Sequence, residues 1–360
     1  MIHCRKKPWD HYRNTHVRNL AWCLFSPSLL TGPYGGHELL PALTLIEHQG
    51  WLSGLDDEPE PLLEHMHQCK SPRLGLLFEH YWQFFWKTQR GDALKVPWPE
   101  GCDEGQWLRN LQVNHPKTHQ TLGEADFIAF EQYPEHLLHC ELAVKFYLGY
   151  PVTSSNKGTK TQNLWLGPNC IDRLDLKLSQ MSEKQLQLLH KPEAQKALPI
   201  GWQTLPVESQ IILRGQLFYP AHTEDFTPEE ITLSQDHLKG YWYYPKDLLA
   251  SIRETEEVVI LEKANWLCTP ATQKTAQIIR KPNLINRLQP HLTPLDATLT
   301  TGTAKRMFTA RPVMLSIGYS CEQKPEAPNY SQEVRQWQER RRAFVVPSHW
   351  PDTNAPSLNT

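Results

Sequence analysis

The spacing of apolar residues changes twice along this chain, and the changes outline its elements. From Val17 to Leu30 the apolar positions fit a short helix closed by the break Ser26-Pro27-Ser28. Ser71-Pro72 then supplies a capping serine and a first-turn proline. The residues behind it, Leu74, Leu76, Leu77, Phe78, Tyr81, Trp82, Phe84 and Phe85, cover a broad helical face. Strand-like runs follow at Leu111-Gln112-Val113, at 125–130 and at 137–148, and the polar turn Gln132-Tyr133-Pro134-Glu135 joins the last two as an antiparallel hairpin. A helical period returns over 171–189, with Leu174, Leu178, Met181, Leu186 and Leu189 apolar, Asn169 as a candidate cap and Pro192 as the stop. A strand at 209–219 completes an α-β-β-β-α-β order, which predicts a small mixed sheet with helices packed on it.

Four regions are expected: a flexible basic tail at 1–15, a core at 16–220, a β-rich region at 221–320 and an extended arm at 321–360. The polar stretch 153–160 reads as a surface loop beside the core. Beyond Pro220 the apolar runs shorten to 240–244, 258–261, 265–267 and 313–317. From Cys321 the chain is polar and proline-rich apart from Trp337, Phe344-Val345-Val346 and Trp350, as a segment lying over the surface would be.

Composition narrows the class. A length of 360 residues suggests about two domains and a sizeable core. The formal net charge of -2 gives no overall basic field, so a nucleic-acid partner would have to use a local patch. Eight scattered cysteines without a Cys-x-x-Cys pair fit a reduced, cytoplasmic setting, and the apolar run at 20–25 is broken too early for a leader or a membrane span. Thirteen tryptophans, many near prolines, point to an ordered globular protein.

The candidate chemistry sits in Leu122-Gly123-Glu124-Ala125-Asp126-Phe127 and in Cys140-Glu141-Leu142-Ala143-Val144-Lys145-Phe146. With a strand period of two, Glu124 and Asp126 share one face, and Glu141, Ala143 and Lys145 share a face of the next strand. Acids gathered on neighbouring strands repel one another unless a divalent cation or a proton relieves them. Two carboxylates and a lysine suit metal-assisted phosphodiester hydrolysis, and Glu79 on the preceding helix would add a third acid. The plain alternative is an edge charge at Glu124 and an ordinary ion pair between Glu141 and Lys145. Against it, both charges lie within one long apolar run, where an unpaired charge is costly.

These residues resemble the PD-(D/E)xK nuclease superfamily. The resemblance implies Asp126 as first acid, Lys145 as the lysine and Glu79 as the helical glutamate, with Mg2+ or Mn2+ as cofactor and DNA or RNA as partner. The chain also resembles a bacterial family of unknown function, numbered 1853. That likeness rests on Val17-Arg18-Asn19-Leu20-Ala21-Trp22, Arg73-Leu74-Gly75 with Phe78-Glu79, the two site segments, Trp165-Leu166-Gly167-Pro168-Asn169 and Asp172-Arg173-Leu174-Asp175. One departure matters. The superfamily's second acid stands two residues before the lysine, where this chain has Ala143; Glu141 is four before it, about 13 Å away in a regular strand instead of about 7 Å. Either a bulge draws Glu141 in, or Glu124 supplies the missing carboxylate to the metal set of Asp126 and Glu141, or catalysis is lost and only binding remains.

Asn169, Arg173 and Lys177 form a candidate phosphate seat, against the plain reading of caps and ion pairs on a solvated helix. Glu339-Arg340-Arg341-Arg342 near Trp337, and Lys305-Arg306 with Phe308, are short basic runs that would touch a nucleic-acid backbone or simply lie in solvent. His65, His67 and Cys69 lack a second ligand pair at zinc spacing. No phosphate loop, nucleophile elbow or dinucleotide fingerprint is present. The expectation is an α/β protein with a PD-(D/E)xK-like mixed sheet and flanking helices, followed by a smaller β-rich region. It would act as a Mg2+- or Mn2+-dependent nuclease or, alternatively, as an inactive nucleic-acid-binding or adaptor protein of that fold.

Overall fold

Asn14 opens the first helix, Thr15–Phe25 (α1), by accepting the N–H groups of His16 and Val17 on its side-chain oxygen. Ser26 ends it, and every residue from Val17 to Phe25 is buried. The computed structural model describes residues 7–35, 38–39, 42–43, 45–91, 107–152, 162–223, 226, 233–293, 310–321 and 334–351. The polar stretch 153–160 and the run Lys305-Arg306 lie outside the described residues.

A short strand, Glu38–Leu39 (β1), precedes two helices that the sequence pattern does not single out, Leu45–Asp57 (α2) and Glu60–His67 (α3). The aromatic-rich helix spans Leu74–Arg90 (α4), and Arg73, not Ser71, is its N-cap residue; Ser71 Oγ instead accepts the Arg73 N–H. Four strands follow, Trp107–Asn114 (β2), Thr121–Gln132 (β3), Glu135–Val152 (β4) and Gln162–Leu166 (β5).

The helix expected over 171–189 is bent, not continuous. It consists of Leu174–Gln180 (α5), a π-turn at Met181–Gln185 and a 3-10 turn at Leu188–His190, and Pro192 then begins Pro192–Ala197 (α6). The bent path places Met181 and Leu186 in one apolar cluster and Leu188 and Leu189 in the next. Arg173, and not Asn169, stands at the N-cap of α5.

The remaining elements are Val207–Pro220 (β6), Lys239–Tyr243 (β7), Pro245–Ser251 (α7), Glu257–Ile260 (β8), Thr272–Lys274 (β9), Ile278–Arg280 (β10), Lys281–Leu292 (α8), Val313–Cys321 (β11) and Val334–Val345 (β12). The run 265–267 is not a strand. It leaves a 3-10 turn, and the Trp266 ring meets Phe146 and Phe344 edge-on.

The twelve strands among the described residues belong to one mixed sheet with the main order β10-β8-β11-β12-β7-β6-β4-β3-β2. The run α4-β2-β3-β4-α5-β6 realises the expected helix and strand order, with β5 added beside the end of β4. Alternating side chains sort the core into two layers. Cys140, Leu142, Val144, Phe146 and Leu148 of β4 pack with α1 and α4, where Trp22 stacks on Phe146. Ala143 and Tyr147 face α5 on the other side, while α7 and α8 cover β8 and β11 on the sheet's far half.

Three of the expected boundaries fall differently. Residues 7–14 of the expected tail carry a 3-10 turn at Pro8–His11 and bury Trp9 and Tyr12. The sheet also crosses the expected boundary at Pro220 without a break, because β7 pairs with β6 in parallel. The expected C-terminal arm contains β12, which pairs with β11 on one side and β7 on the other. Its apolar inner face, Ala343 and Val345 on one side and Phe344 on the other, is what a central strand requires.

The run Glu339-Arg340-Arg341-Arg342 is therefore internal. Arg341 pairs with Glu256, and Arg340 stands 5.5 Å from the Tyr319 ring. The Glu339 carboxylate accepts from Arg342 Nε at 3.0 and 3.1 Å, from Ser316 Oγ at 2.9 Å, from Lys7 Nζ at 3.3 Å and from Thr269 Oγ1. Burial alone would raise its pKa, but the Arg342 and Lys7 charges and the hydroxyl donors outweigh burial and hold it well below the ordinary range. A depressed acid stabilises the fold above its unfolded pKa and loses that contribution as pH falls. Glu339→Ala, which strands Arg342, should therefore cost about 3–5 kcal/mol near neutral pH in denaturant unfolding, with the difference from wild type shrinking below about pH 4.

Candidate functional site

The acidic site forms where two strands part. β3 and β4 pair from Gln132↔Glu135 up to Phe127↔Cys140, and β5 joins β4 only from Leu148 onward. Between these points β4 stays paired with β6 on its other edge. Beyond Cys140 side chains replace the ladder: Asp126 Oδ2 accepts the Leu142 N–H at 2.8 Å, and Glu141 Oε1 accepts the Asp126 N–H at 3.3 Å. The β2–β3 ladder also skips the Asn110–Asp126 step. Asn110 has φ +51°, and Leu108 and Leu111 share one apolar cluster with Ala125 and Ile128. Side-chain alternation therefore slips in both strands at this level, which frees Asp126 from a regular sheet position.

Glu141 is fully buried. His139, two residues earlier on the same face, hydrogen-bonds Glu141 Oε1 at 2.9 Å, and Gln185 Nε2 donates to Oε2 at 2.6 Å. Burial pushes the His139 pKa down to about 4 and the Glu141 pKa up to about 7. Between about pH 4 and pH 7 their contact is thus a hydrogen bond between uncharged groups, not an ion pair. Asp126 is raised to about 7 as well, by burial first and by Glu141 second. Two further acids belong to the set. Glu79, carried by α4, is raised to about 7 by burial and then by Asp126, and Glu124 adds to the repulsion on Glu79, Asp126 and Glu141. Glu124 is exposed and accepts from Asn110 Nδ2 at 3.1 Å. Arg109 on β2 moderates Glu79 by its charge and is tied to Gln83 of α4, one turn along.

The lysines divide differently from expectation. The β4–β6 register runs without a shift from Leu137↔Val207 to Leu148↔Phe218, so no bulge draws Glu141 toward Lys145. Lys145 pairs instead with Asp172, which also accepts from Tyr147 Oη at 3.2 Å. Gly215 stands opposite Lys145, and a Cβ there would lie 1.8 Å from the Lys145 carbonyl oxygen, so only glycine permits this close approach. The cation that lowers the Asp126 and Glu141 pKa values is Lys177 of α5, which donates to Gln185 Oε1 at 2.8 Å. Burial and the nearby Lys145 lower its own pKa.

Of the residues named from sequence, Asp126, Glu141, Glu79 and Glu124 act on one another, and Lys145 stands apart on Asp172. The expected phosphate seat does not form as a unit. Arg173 is buried and gripped by the Asp175 carboxylate, with Nε to Oδ1 at 2.8 Å, Asn169 is exposed, and Lys177 turns toward the acids. Sequence reasoning missed His139, Gln185 and Arg109. His139 was reachable from the strand period, two positions before Glu141. Gln185 was hidden by the π-turn, and Arg109 by a strand that begins earlier than its apolar run.

Oxygen donors of this kind fit a hard divalent cation. Among the described residues, however, no group of three His, Cys, Asp or Glu side chains is gathered closely enough to hold one, so the set of Asp126, Glu141 and Glu124 is not assembled as it stands. Glu141 would first have to release Gln185. Among the described residues, no helix is long and apolar enough to cross a membrane, and Cys23, Cys140 and Cys268 are buried free thiols.

The molecule is a mixed α/β protein with helices on both faces of one sheet and a buried acidic cluster at a strand parting. The chain belongs to the family described as Domain of unknown function (DUF1853), which matches residues 18–346. No curated protein and no solved structure matches it.

An acid whose folded pKa is raised above its unfolded value favours the fold below the unfolded pKa, and that advantage is lost as pH rises through the folded value. Stability should therefore fall between about pH 4 and pH 7. Asp126→Asn keeps an oxygen for the Leu142 N–H and removes the charge. It should stabilise the protein by about 1–3 kcal/mol near pH 8 and change little near pH 5, as read by thermal unfolding at both values.

Proposed function

We propose that this protein is a divalent-metal-dependent nuclease, with a PD-(D/E)xK-like core supplying the site. The observation that supports the reading is the pair Asp126 and Glu141 where β3 parts from β4, with Glu79 of α4 close enough to feel their charge and all three pushed up to about 7. Such a cluster is relieved either by protons or by a hard cation, and near neutral pH the protons are about to leave.

Asp126 and Glu141 would hold Mg2+ or Mn2+, and Glu79 or Glu124 would complete the donor set. The bound ion would supply charge stabilisation at the scissile phosphate and a sharpened water. Lys177 takes the place expected of Lys145, because it is the ammonium whose charge reaches both Asp126 and Glu141. Its lowered pKa suits a group that orients a water or balances charge developing on a phosphate. Lys145, held by Asp172, would sit at the rim, where DNA or RNA would enter.

A second reading has one specific support. Both Glu141 oxygens already have internal partners in His139, the Asp126 N–H and Gln185, as in a site that keeps its architecture and only binds. Under that reading the protein is a nucleic-acid-binding or adaptor protein without metal chemistry.

Calorimetric titration with Mn2+, paired with cleavage assays on DNA and RNA, separates the two. The nuclease reading expects metal binding and cleavage that Asp126→Ala abolishes in a folded protein, and it expects Lys177→Ala to bind metal but lose about 10²-fold or more in rate. Cleavage retained by folded Asp126→Ala would remove it. Nucleic-acid binding indifferent to metal, with no cleavage, would establish the second reading.

A further inference from the structure

Where β3 has parted from β4 and β5 has not yet joined it, a cavity of about 260 Å³ opens against the uncovered stretch of β4. It is lined by residues 144–146 of β4, by residues 73–75 at the start of α4, and by Lys263 and Trp266 at the turn before β9. The Lys145 carbonyl lies against Gly215 of β6, so strand alternation turns the backbone N–H groups of Val144 and Phe146 to the uncovered side. Gly75 stands one turn before Glu79 on the same face of α4, which makes the cavity the immediate neighbour of the acidic cluster.

Three cations and one acid line this cavity, and each can be followed to its partner. Lys145 is paired with Asp172, the single carboxylate in the lining, so that pair contributes no net charge. Arg73 and Lys263 are both exposed, and neither has an ion-pair partner among the described residues. Two positive charges therefore remain. Lys263 Nζ lies 5.7 Å from the centre of the Trp266 ring, which keeps the ammonium beside the aromatic wall. The start of α4 adds to the same sign, because Arg73 gives it no side-chain cap and its first turn carries no acid, leaving N–H groups for an outside acceptor.

A recess with surplus cations and backbone donors suits a phosphodiester, and an aromatic wall within it suits a base. A base in a duplex is paired and stacked on its neighbours, so only an unpaired one can enter a recess of this size. We propose that this cavity is a subsite for one unpaired nucleotide of single-stranded nucleic acid, its phosphate held by Arg73, Lys263 and the start of α4 and its base lying against Trp266. The inference rests on reading the acidic cluster as a nucleic-acid site, whether that site cleaves or only binds, and it gives the substrate as an unpaired strand that passes Lys145 on its way to the acids.

The test is the binding of a fluorescent oligothymidylate, with the matching oligouridylate and a blunt hairpin duplex of equal phosphate number beside it, to the full chain in metal-free buffer. One of the single strands should bind about tenfold or more tightly than the duplex, and the comparison of the two tells DNA from RNA. Arg73→Gln and Lys263→Gln should each reduce the salt dependence of binding by about 0.7 in log–log slope, a readout that a purely structural role would not move. Gly75→Leu places bulk where a Cβ meets no atom within 4 Å and should weaken binding about tenfold or more while thermal unfolding is retained, since leucine favours a helix over glycine. It is preferred to a change at Trp266, whose ring also packs on Phe146 and Phe344. No binding of either single strand, equal binding of the duplex, or binding indifferent to Arg73→Gln, Lys263→Gln and Gly75→Leu would overturn the inference. Metal-dependent cleavage that these variants leave untouched would overturn it while the nuclease reading stands; strand binding that they weaken, without cleavage, would support it and leave the site as one that only binds.

Discussion

β4 is buried on both faces and paired with β6 along twelve consecutive residues, and this constraint governs the rest of the molecule. A strand so enclosed has no water to satisfy a polar side chain, so each must find a partner in the protein or hold its proton. Glu141 does both, with His139, Gln185 and the Asp126 N–H around a carboxyl whose pKa is near neutrality. The parting of β3 supplies the room, and the bent segment after α5 supplies Lys177 and Gln185. Moving β4 by one residue would carry Glu141 into the α1–α4 layer and leave Cys140 or Leu142 among the acids.

How much of this was legible depended on whether local pattern or distant pairing decided the outcome. The helix around Phe78 and Trp82 and the strands around Phe127 and Phe146 follow from their periods alone. The acids Asp126, Glu141 and Glu79 were found because they interrupt apolar runs, which is a local signal. Lys145 misled because spacing along one strand says nothing about a cation arriving from another element, and Lys177 arrives from α5. The interior role of 334–345 was hidden because its charged residues, Glu339, Arg341 and Arg342, are paired with residues far away in sequence, so a central strand carries the composition of a surface one. The N-terminal turn with Trp9 was hidden for the same reason, since Lys7 and Arg18 are held by Glu339 and Asp10.

The buried charges are handled in two opposite ways. At Glu339 surrounding cations and hydroxyls keep a carboxylate ionised far below its usual range. At Asp126 and Glu141 acids are gathered with too little positive charge, so they rest near their protonation midpoint. The first arrangement locks three distant segments together, and the second leaves an unbalanced site that a proton or another cation can complete.

The place of β12 in the sheet bears on how the chain is made. Its partner β7 is complete at Tyr243, but the residues that cover β7's outer edge, Ala343 to Val345, emerge from the ribosome about a hundred residues later. At ordinary elongation rates that is a delay of roughly 5–20 s during which an apolar strand presents unsatisfied backbone groups. Until then that edge of β7 can be satisfied only by water or by other pairing, and β12 sets the moment at which this part of the sheet can close.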